Sequence, residues 1–522
     1  MSTHPSHLWY SVRLARWCWR LVWNRRTAWT LIILVSFTTL YYQWENWRSA
    51  RELVETRKRV MARIGTDNLL DLAPPRIPDE QNWFANAVFE SWIRPQSPNG
   101  PQTMYATPEN ALLPKSFVMP AVIESNDGNA ETLDLAAWMK QRFANVTPPQ
   151  DATPEALFAR DLGDGNGLLP KLAVGLSRPY SMMKPDRREG IEKSQGNPWA
   201  IDITNFRHAN QLQRQLGLHL RSAALIKDQG KARDTTLIML RFSEASSNHA
   251  LVGCLVSMAL HGMAFDAMQD AMNHGAWSEA ALPLLQHRLA AFDDLQNMDL
   301  ALSSEALRLF QTAASIHAQQ VNLADMFVPG IVAEPRWKTR LWNHAFHWLA
   351  AYGPIGWHDA NIAYWTDREL EALGPPGPTS WLGASDRYFR VSKAARAVLY
   401  YNDDEAFVWP NPRRFIGAMA FPNLGNISKS AAECLFKRRC LIIGCALERY
   451  RLQHGAFPDS LDAVKAELAS FKVNDPARPD QPMGYRLEPT GYVLWSAGED
   501  AQDNGGVMGE DWLWRIKRAA KP

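Results

Sequence analysis

The side chains best able to do chemistry are His344 and His347. Three residues apart on a helix, they share one face, which is ligand geometry for zinc. His358 and Asp359 follow closely and complete the donor set of a metal-dependent hydrolase. No Glu stands between the histidines as in H-E-x-x-H, and Trp342, Phe346 and Trp348 surround them. That setting favours histidines that serve packing. Residues 161–167, DLGDGNG, have the composition of a calcium loop but lack the EF-hand register and its terminal Glu, and read as a flexible turn. Cys434-x5-Cys440-x4-Cys445 fits no common zinc spacing and reads as small buried side chains. The sequence contains no GxxxxGK[ST], GxGxxG or GxSxG. No catalytic residue follows from it, and enzymatic activity stays an open alternative.

The element that places everything else is the stretch 27–44, TAWTLIILVSFTTLYYQW, which carries no charge. It is at the short end of the roughly 17–25 residues needed to cross a bilayer. Trp17, Trp19, Trp23 and Trp29 lie towards one end, and Tyr41, Tyr42, Trp44 and Trp47 towards the other. Rings of this kind favour the headgroup level, so a single transmembrane helix is expected at 27–44. Residues 8–26 read as a basic amphipathic helix on the membrane surface. Arginines flank both ends of the span, but the first 26 residues have no Asp or Glu, while Glu45, Glu52 and Glu55 follow it. This bias puts the N-terminus in the cytoplasm and the bulk of the chain outside a bacterial inner membrane.

The chain has 522 residues, enough for two or three cores, and a net charge of +2, which points to no nucleic-acid partner. A juxtamembrane helix is expected over 45–73, with a narrow apolar stripe of Leu53, Val60, Met61 and Ile64. A Pro-rich mixed region of helix and loop follows over 74–200. Residues 201–328 read as a stack of four or five helical hairpin elements, with breaks near 229–230, 246–247, 273–275 and 298–299. One apolar face there holds Leu251, Leu255, Met258 and Ala259. Residues 329–428 read as aromatic-rich helices and linkers, with helices at 337–348 and 388–400. Residues 429–455 form a helix that Gly455 ends. A hairpin of 483–488 and 492–496 follows, closed by the three-residue loop 489–491, with Tyr485 and Leu487 facing Val493 and Trp495.

In this last region Ala446, Leu447, Tyr450, Gly455, Phe457 and Pro458 are followed by Asp475, Pro476, Tyr485, Ser496, Gly498, Asp500, Gly505 and Gly506. This order resembles the C-terminal half of the major pseudopilins of type II secretion. The resemblance implies a small α+β module over 429–522 and a last loop that binds calcium. Asp500, Asp503, Glu510 and Asp511 would supply its carboxylates, with Glu499 beside them; Ala501 stands where that family has Gly. About four hundred residues separate the expected span from this module, which argues against polymerisation into a pilus. The layout, with RSAALIKDQGKARDTTLIMLRFSE upstream, also resembles large membrane-anchored proteins of planctomycetes and verrucomicrobia, a likeness that brings no activity with it.

The sequence therefore predicts a mainly α-helical chain with one N-terminal membrane helix, a helical hairpin stack and a small C-terminal α+β module. Its expected role is a membrane-anchored, extracytoplasmic interaction or envelope-structural protein, with the bilayer and an envelope protein as partners. The alternatives are a secretion or pilus-assembly component and a metal-dependent hydrolase.

Overall fold

The computed structural model describes residues 25–95, most of 102–198, 209–247, 249–320, 353–375, 387, 390, 411–414 and 427–518. The helix expected at 337–348, and all but the last two residues of 8–26 and all but Arg390 of 388–400, lie outside these residues. The chain is mainly helical, with a small antiparallel sheet near its C-terminus. Its long helices are α1 (Arg25–Ile64), α2 (Ala209–Leu225), α3 (Gln229–Ala245), α4 (Leu251–Asn273), α5 (Ala281–Ala290), α6 (Asp294–His317), α7 (Gly356–Leu373) and α8 (Ile427–His454). The C-terminal strands are β1 (Gly484–Glu488), β2 (Gly491–Ser496) and β3 (Trp512–Lys517). Two compact units result, one of residues 1–59, 316–367 and 395–421, the other of 60–315, 368–394 and 422–522.

In the larger unit, α2 to α6 are five helices where four or five were expected. The break between α5 and α6 falls at 291–293, not at 298–299, where α6 runs on as helix. The reason is local: Asp293 Oδ1 accepts from the N–H groups of Leu295 and Gln296, at 3.1 and 3.0 Å, and so starts the helix. The α4 face also differs from expectation. Leu251 and Met258 are buried, but Leu255 is 37% exposed and Ala259 is exposed; Cys254, His261 and Phe265 continue the buried side. Because α4 is apolar almost all round, its sequence carries little sign of which side faces inward. At the centre of the stack, Gln213 Nε2 donates to Leu260 O at 3.0 Å and to Ser243 Oγ at 3.1 Å, joining α2, α3 and α4. Its donors are satisfied by a site that only this helix arrangement creates.

Helix α8 belongs to the same continuous core. Its small side chains Ala431, Cys440, Cys445 and Ala446 are fully buried, which lets neighbours approach on several sides. It ends as expected, with Gly455 in a left-handed conformation at φ +83°. The sheet that follows has three strands, in the order β1-β2-β3, all antiparallel. Strand β3 has no counterpart in the expected hairpin. Glu488 pairs with Gly491, so the turn is the two residues 489–490. Tyr485 pairs with Leu494 and Leu487 with Tyr492, one residue away from the expected partners. A slip of one residue exchanges the two faces of a strand. Tyr492, Leu494, Trp514 and Ile516 therefore form the inward face, and Val493 and Trp495 lie on the other.

In the smaller unit, residues 25–59 of α1 and 356–367 of α7 frame the turn at 411–414. Below the apolar stretch, the buried side of α1 is polar: Glu45, Ser49 and Thr56 are at most 2% exposed. Of the expected stripe Leu53, Val60, Met61 and Ile64, only Val60 is fully buried, and it falls in the larger unit. The helix ends at Ile64, ahead of the prolines, where Gly65 takes φ +87°.

The transmembrane helix expected at 27–44 is helical but does not stand out as a span. Among the described residues, only α4 is long and apolar enough over eighteen residues to cross a membrane, at mean hydropathy 1.5. It is 61% buried in protein, as befits a core helix. At 27–44 the hydroxyls, aromatic rings and Gln43 dilute the apolar run LIILVSF.

Candidate functional site

His344 and His347 lie outside the described residues, so the zinc arrangement has two described members, His358 and Asp359, on the first turn of α7. Asp359 is 4% exposed and turns to another histidine: His317 Nε2 lies 2.9 Å from Asp359 Oδ1. Burial raises the Asp359 carboxyl, and His317 acts against that rise. Among the described residues no group of three or more His, Cys, Asp or Glu is placed to hold a metal ion.

The acidic loop between β2 and β3 is closed by its own hydrogen bonds. Asp511 Oδ2 accepts from Gly506 N at 2.8 Å and Val507 N at 3.0 Å, and Oδ1 from Asn504 N at 3.3 Å. Asp503 accepts from Trp495 Nε1 and Arg478 Nη2, both at 2.8 Å, and from Gly505 N at 2.9 Å. Burial works to raise the Asp503 carboxyl, but these three bonds outweigh it and hold the group below the usual carboxylate range. Asp500 accepts only a local bond from Gln502 N at 3.0 Å, Glu499 pairs with Lys429, and Glu510 is exposed. The expected ligands thus separate into two that tie the loop together and two that face water.

This geometry sets an expected outcome. Asp511→Ala strands three backbone donors, each net bond being worth about 0.5–1.5 kcal/mol, and more to a charged acceptor. Thermal melting should fall by several degrees, by the same amount in calcium and in chelator. An extra loss confined to the calcium sample would instead assign a bound cation to the loop.

Two perturbed histidines are sealed in the core. His219 is fully buried, with Nε2 3.0 Å from Leu112 O, and burial pushes it down to about 4. His261 is likewise buried, and desolvation, with Arg438 nearby, drives it well below the usual range. Neither is accessible to a substrate, so neither shift points to catalysis.

An open cleft lies in the smaller unit. A cavity of about 590 Å³ is lined by Arg48, Arg51, Arg59, Arg413 and Arg414, with Glu52, Glu55 and Asp367. Its architecture follows from two fully buried side chains of α7. Asn361 Nδ2 donates to Pro412 O at 2.5 Å and Trp365 Nε1 to Arg414 O at 2.6 Å. These bonds hold the 411–414 turn on the helix and bring both of its arginines to the cleft. Arg59 makes a two-pronged bond to Asp367 at 2.8 and 2.6 Å, and that bond raises its pKa. Arg413 is held by Glu45, Ser49 and Glu52, the last at 2.5 Å, while burial lowers its pKa. Arg51 lies over the Trp47 ring at 4.4 Å and Arg414 over Tyr364 at 4.6 Å.

No family model, characterised protein or solved structure matches this chain. The cleft's own chemistry defines what it can hold.

That chemistry is anion recognition: arginines in excess over carboxylates, on a rigid helical frame, with no nucleophile or paired base among them. Sequence reasoning missed it. Arg48, Glu52, Glu55 and Arg59 recur at helical spacing and were the available signal, while Arg413 and Arg414 were hidden in WPNPRRF, which reads only as a break.

Proposed function

We propose that this chain is a single-pass membrane protein anchored by residues 27–44, with a non-enzymatic interaction or envelope-structural role outside the cytoplasm. One observation carries the reading: along this charge-free helical stretch the large apolar side chains are exposed. Trp29, Ile33, Leu34, Val35, Phe37 and Leu40 are all more than 60% exposed. Scattered exposed apolar residues are ordinary, but a contiguous band of this kind marks an interaction surface. Its hydroxyls are matched to an apolar setting. Thr30, Thr38 and Thr39 each donate back to the carbonyl four residues earlier, at 2.9, 2.8 and 2.8 Å. Such bonds satisfy side chains where water is absent.

The bulk of the chain is read as extracytoplasmic from the acid-free N-terminal segment. The secretion-component reading draws only on the tail, where α8 precedes a small antiparallel sheet; in this proposal that module is a terminal domain rather than a filament subunit.

Membranes from expressing cells, washed with alkaline carbonate, test the anchor. The full chain is expected in the pellet. The double variant Ile33→Arg, Val35→Arg is expected in the supernatant, because each buried arginine costs about 2.5–3.5 kcal/mol at a span centre. A wild-type chain that is soluble without detergent would overturn the proposal.

A further inference from the structure

The arginine cleft lies directly beyond the proposed anchor, and its charges are not all neutralised by the described residues. We propose that it binds a phosphate-bearing anion, the headgroup of an anionic phospholipid. Five arginines meet three carboxylates along the lining. Asp367 engages Arg59, and Glu52 is shared by Arg48 and Arg413. Arg51 and Arg414 have no carboxylate partner among the described residues. Each is held by an aromatic face, Trp47 and Tyr364 respectively. A guanidinium stacked in this way keeps its edge N–H donors available, and a phosphate oxygen pair matches that fork.

The position selects the source of the phosphate; this step rests on the anchor reading. Trp44 ends the charge-free stretch. At 1.5 Å per residue, Arg48 and Arg51 stand about 6 and 10 Å further along the helix. The headgroup layer is roughly 5–8 Å deep on each side of the hydrocarbon. The Arg48 backbone therefore stands within the headgroup layer and that of Arg51 just beyond it, where its long side chain reaches back; the exposed rings of Trp44 and Trp47 beside them suit the interface. The cavity falls within the roughly 300–1,000 Å³ of small-ligand sites. Free inorganic phosphate has the same recognition chemistry and is the other source to be distinguished.

The full chain in neutral detergent is titrated with short-chain phosphatidylglycerol, short-chain phosphatidylcholine and inorganic phosphate, and heat is measured. Saturable binding of phosphatidylglycerol is expected, with none of phosphatidylcholine. Arg51→Gln combined with Arg414→Gln should weaken it at least about tenfold, since each lost charge-assisted bond is worth that much or more. Arg57→Gln, on the same helix but outside the cleft lining, should leave it unchanged. Both arginines of the double variant are exposed, and an unaltered melting curve confirms its fold. Tighter, variant-sensitive binding of phosphate would keep the anion site and assign it to a soluble ligand. Equal binding of both lipids, or equal binding by the double variant, overturns the proposal. The assay requires no membrane insertion, so a failed anchor and a failed anion site give different results.

Discussion

Arg438→Ala is expected to destabilise the larger unit by about 3–5 kcal/mol, the cost of removing one partner of a buried ion pair. Arg438 of α8 and Asp294 at the start of α6 have side chains only 3% and 0% exposed. Arg438 Nε donates to Asp294 Oδ2 at 2.7 Å and Nη2 to Oδ1 at 3.1 Å, while Nη1 donates to Leu289 O at 3.1 Å. Phe265 and Phe292 lie 5.0 and 4.9 Å from the guanidinium carbon. Burial acts to lower the Arg438 pKa, but Asp294 outweighs it and the net direction is upward. Removing Arg438 leaves Asp294 buried without its cation. Since a domain has only about 5–15 kcal/mol in all, the variant should lose a large share of its stability.

A second variant separates pairing from mere occupancy. Arg438→Met with Asp294→Leu replaces both charges by apolar groups and should recover most of the loss, as buried pairs often exchange for packing at little net cost. Guanidinium denaturation of wild type, both single variants and the double variant gives the coupling. If the double variant is as unstable as Arg438→Ala, the pair is not what holds α8 to α6, and the lost aromatic contacts must account for the effect.

Helix α8 was legible because a long run of apolar and small residues ends in a glycine, a purely local signal. So was the existence of β1 and β2, whose alternation is short but clean. Their register was not. It depends on whether two or three residues close the turn, and Pro489-Thr490-Gly491 permits either reading. Strand β3 carries its own alternation, with Trp514 and Ile516 inward and Arg515 and Lys517 between them. It was obscured by the acidic loop before it, which drew attention as a ligand set. The loop carboxylates show why a ligand set cannot be read from composition. Asp503 and Asp511 are engaged by N–H donors that only the folded turn presents. The arginine cleft was the least legible feature. Arg413 bonds to Ser49 across 364 residues of sequence, a proximity with no local trace.

Gly491→Ala is expected to remove about 3 kcal/mol or more, and to cost more than Gly484→Ala although both glycines sit in the sheet. A Cβ on Gly491 would collide with Ile516 O and lie 2.8 Å from Ile516 C, both backbone atoms of the paired strand. Nothing there can rotate away. The β2–β3 pair must separate at Gly491–Lys517, beside the fully buried Tyr492 and Ile516. Overpacking of well-packed sites costs about 1–3 kcal/mol even where side chains absorb it, so a backbone clash should lie at or above that range. A Cβ on Gly484 would collide with the Trp495 ring, but this is a side chain on the outer face of the sheet. It can swing aside at the expense of its 2.8 Å bond to Asp503 and its contact with Arg486, 5.6 Å from the ring. One partly exposed bond to a carboxylate and one exposed cation–π contact together amount to about 2–3 kcal/mol at most, since both groups regain water when the ring moves. Amide exchange resolves the two cases. Gly491→Ala should expose the amides of 512–517 to exchange, whereas Gly484→Ala should leave them protected and loosen only the 503–505 turn. Equal exchange at 512–517 in the two variants would show that β3 is not held to β2 by the close backbone approach at Gly491.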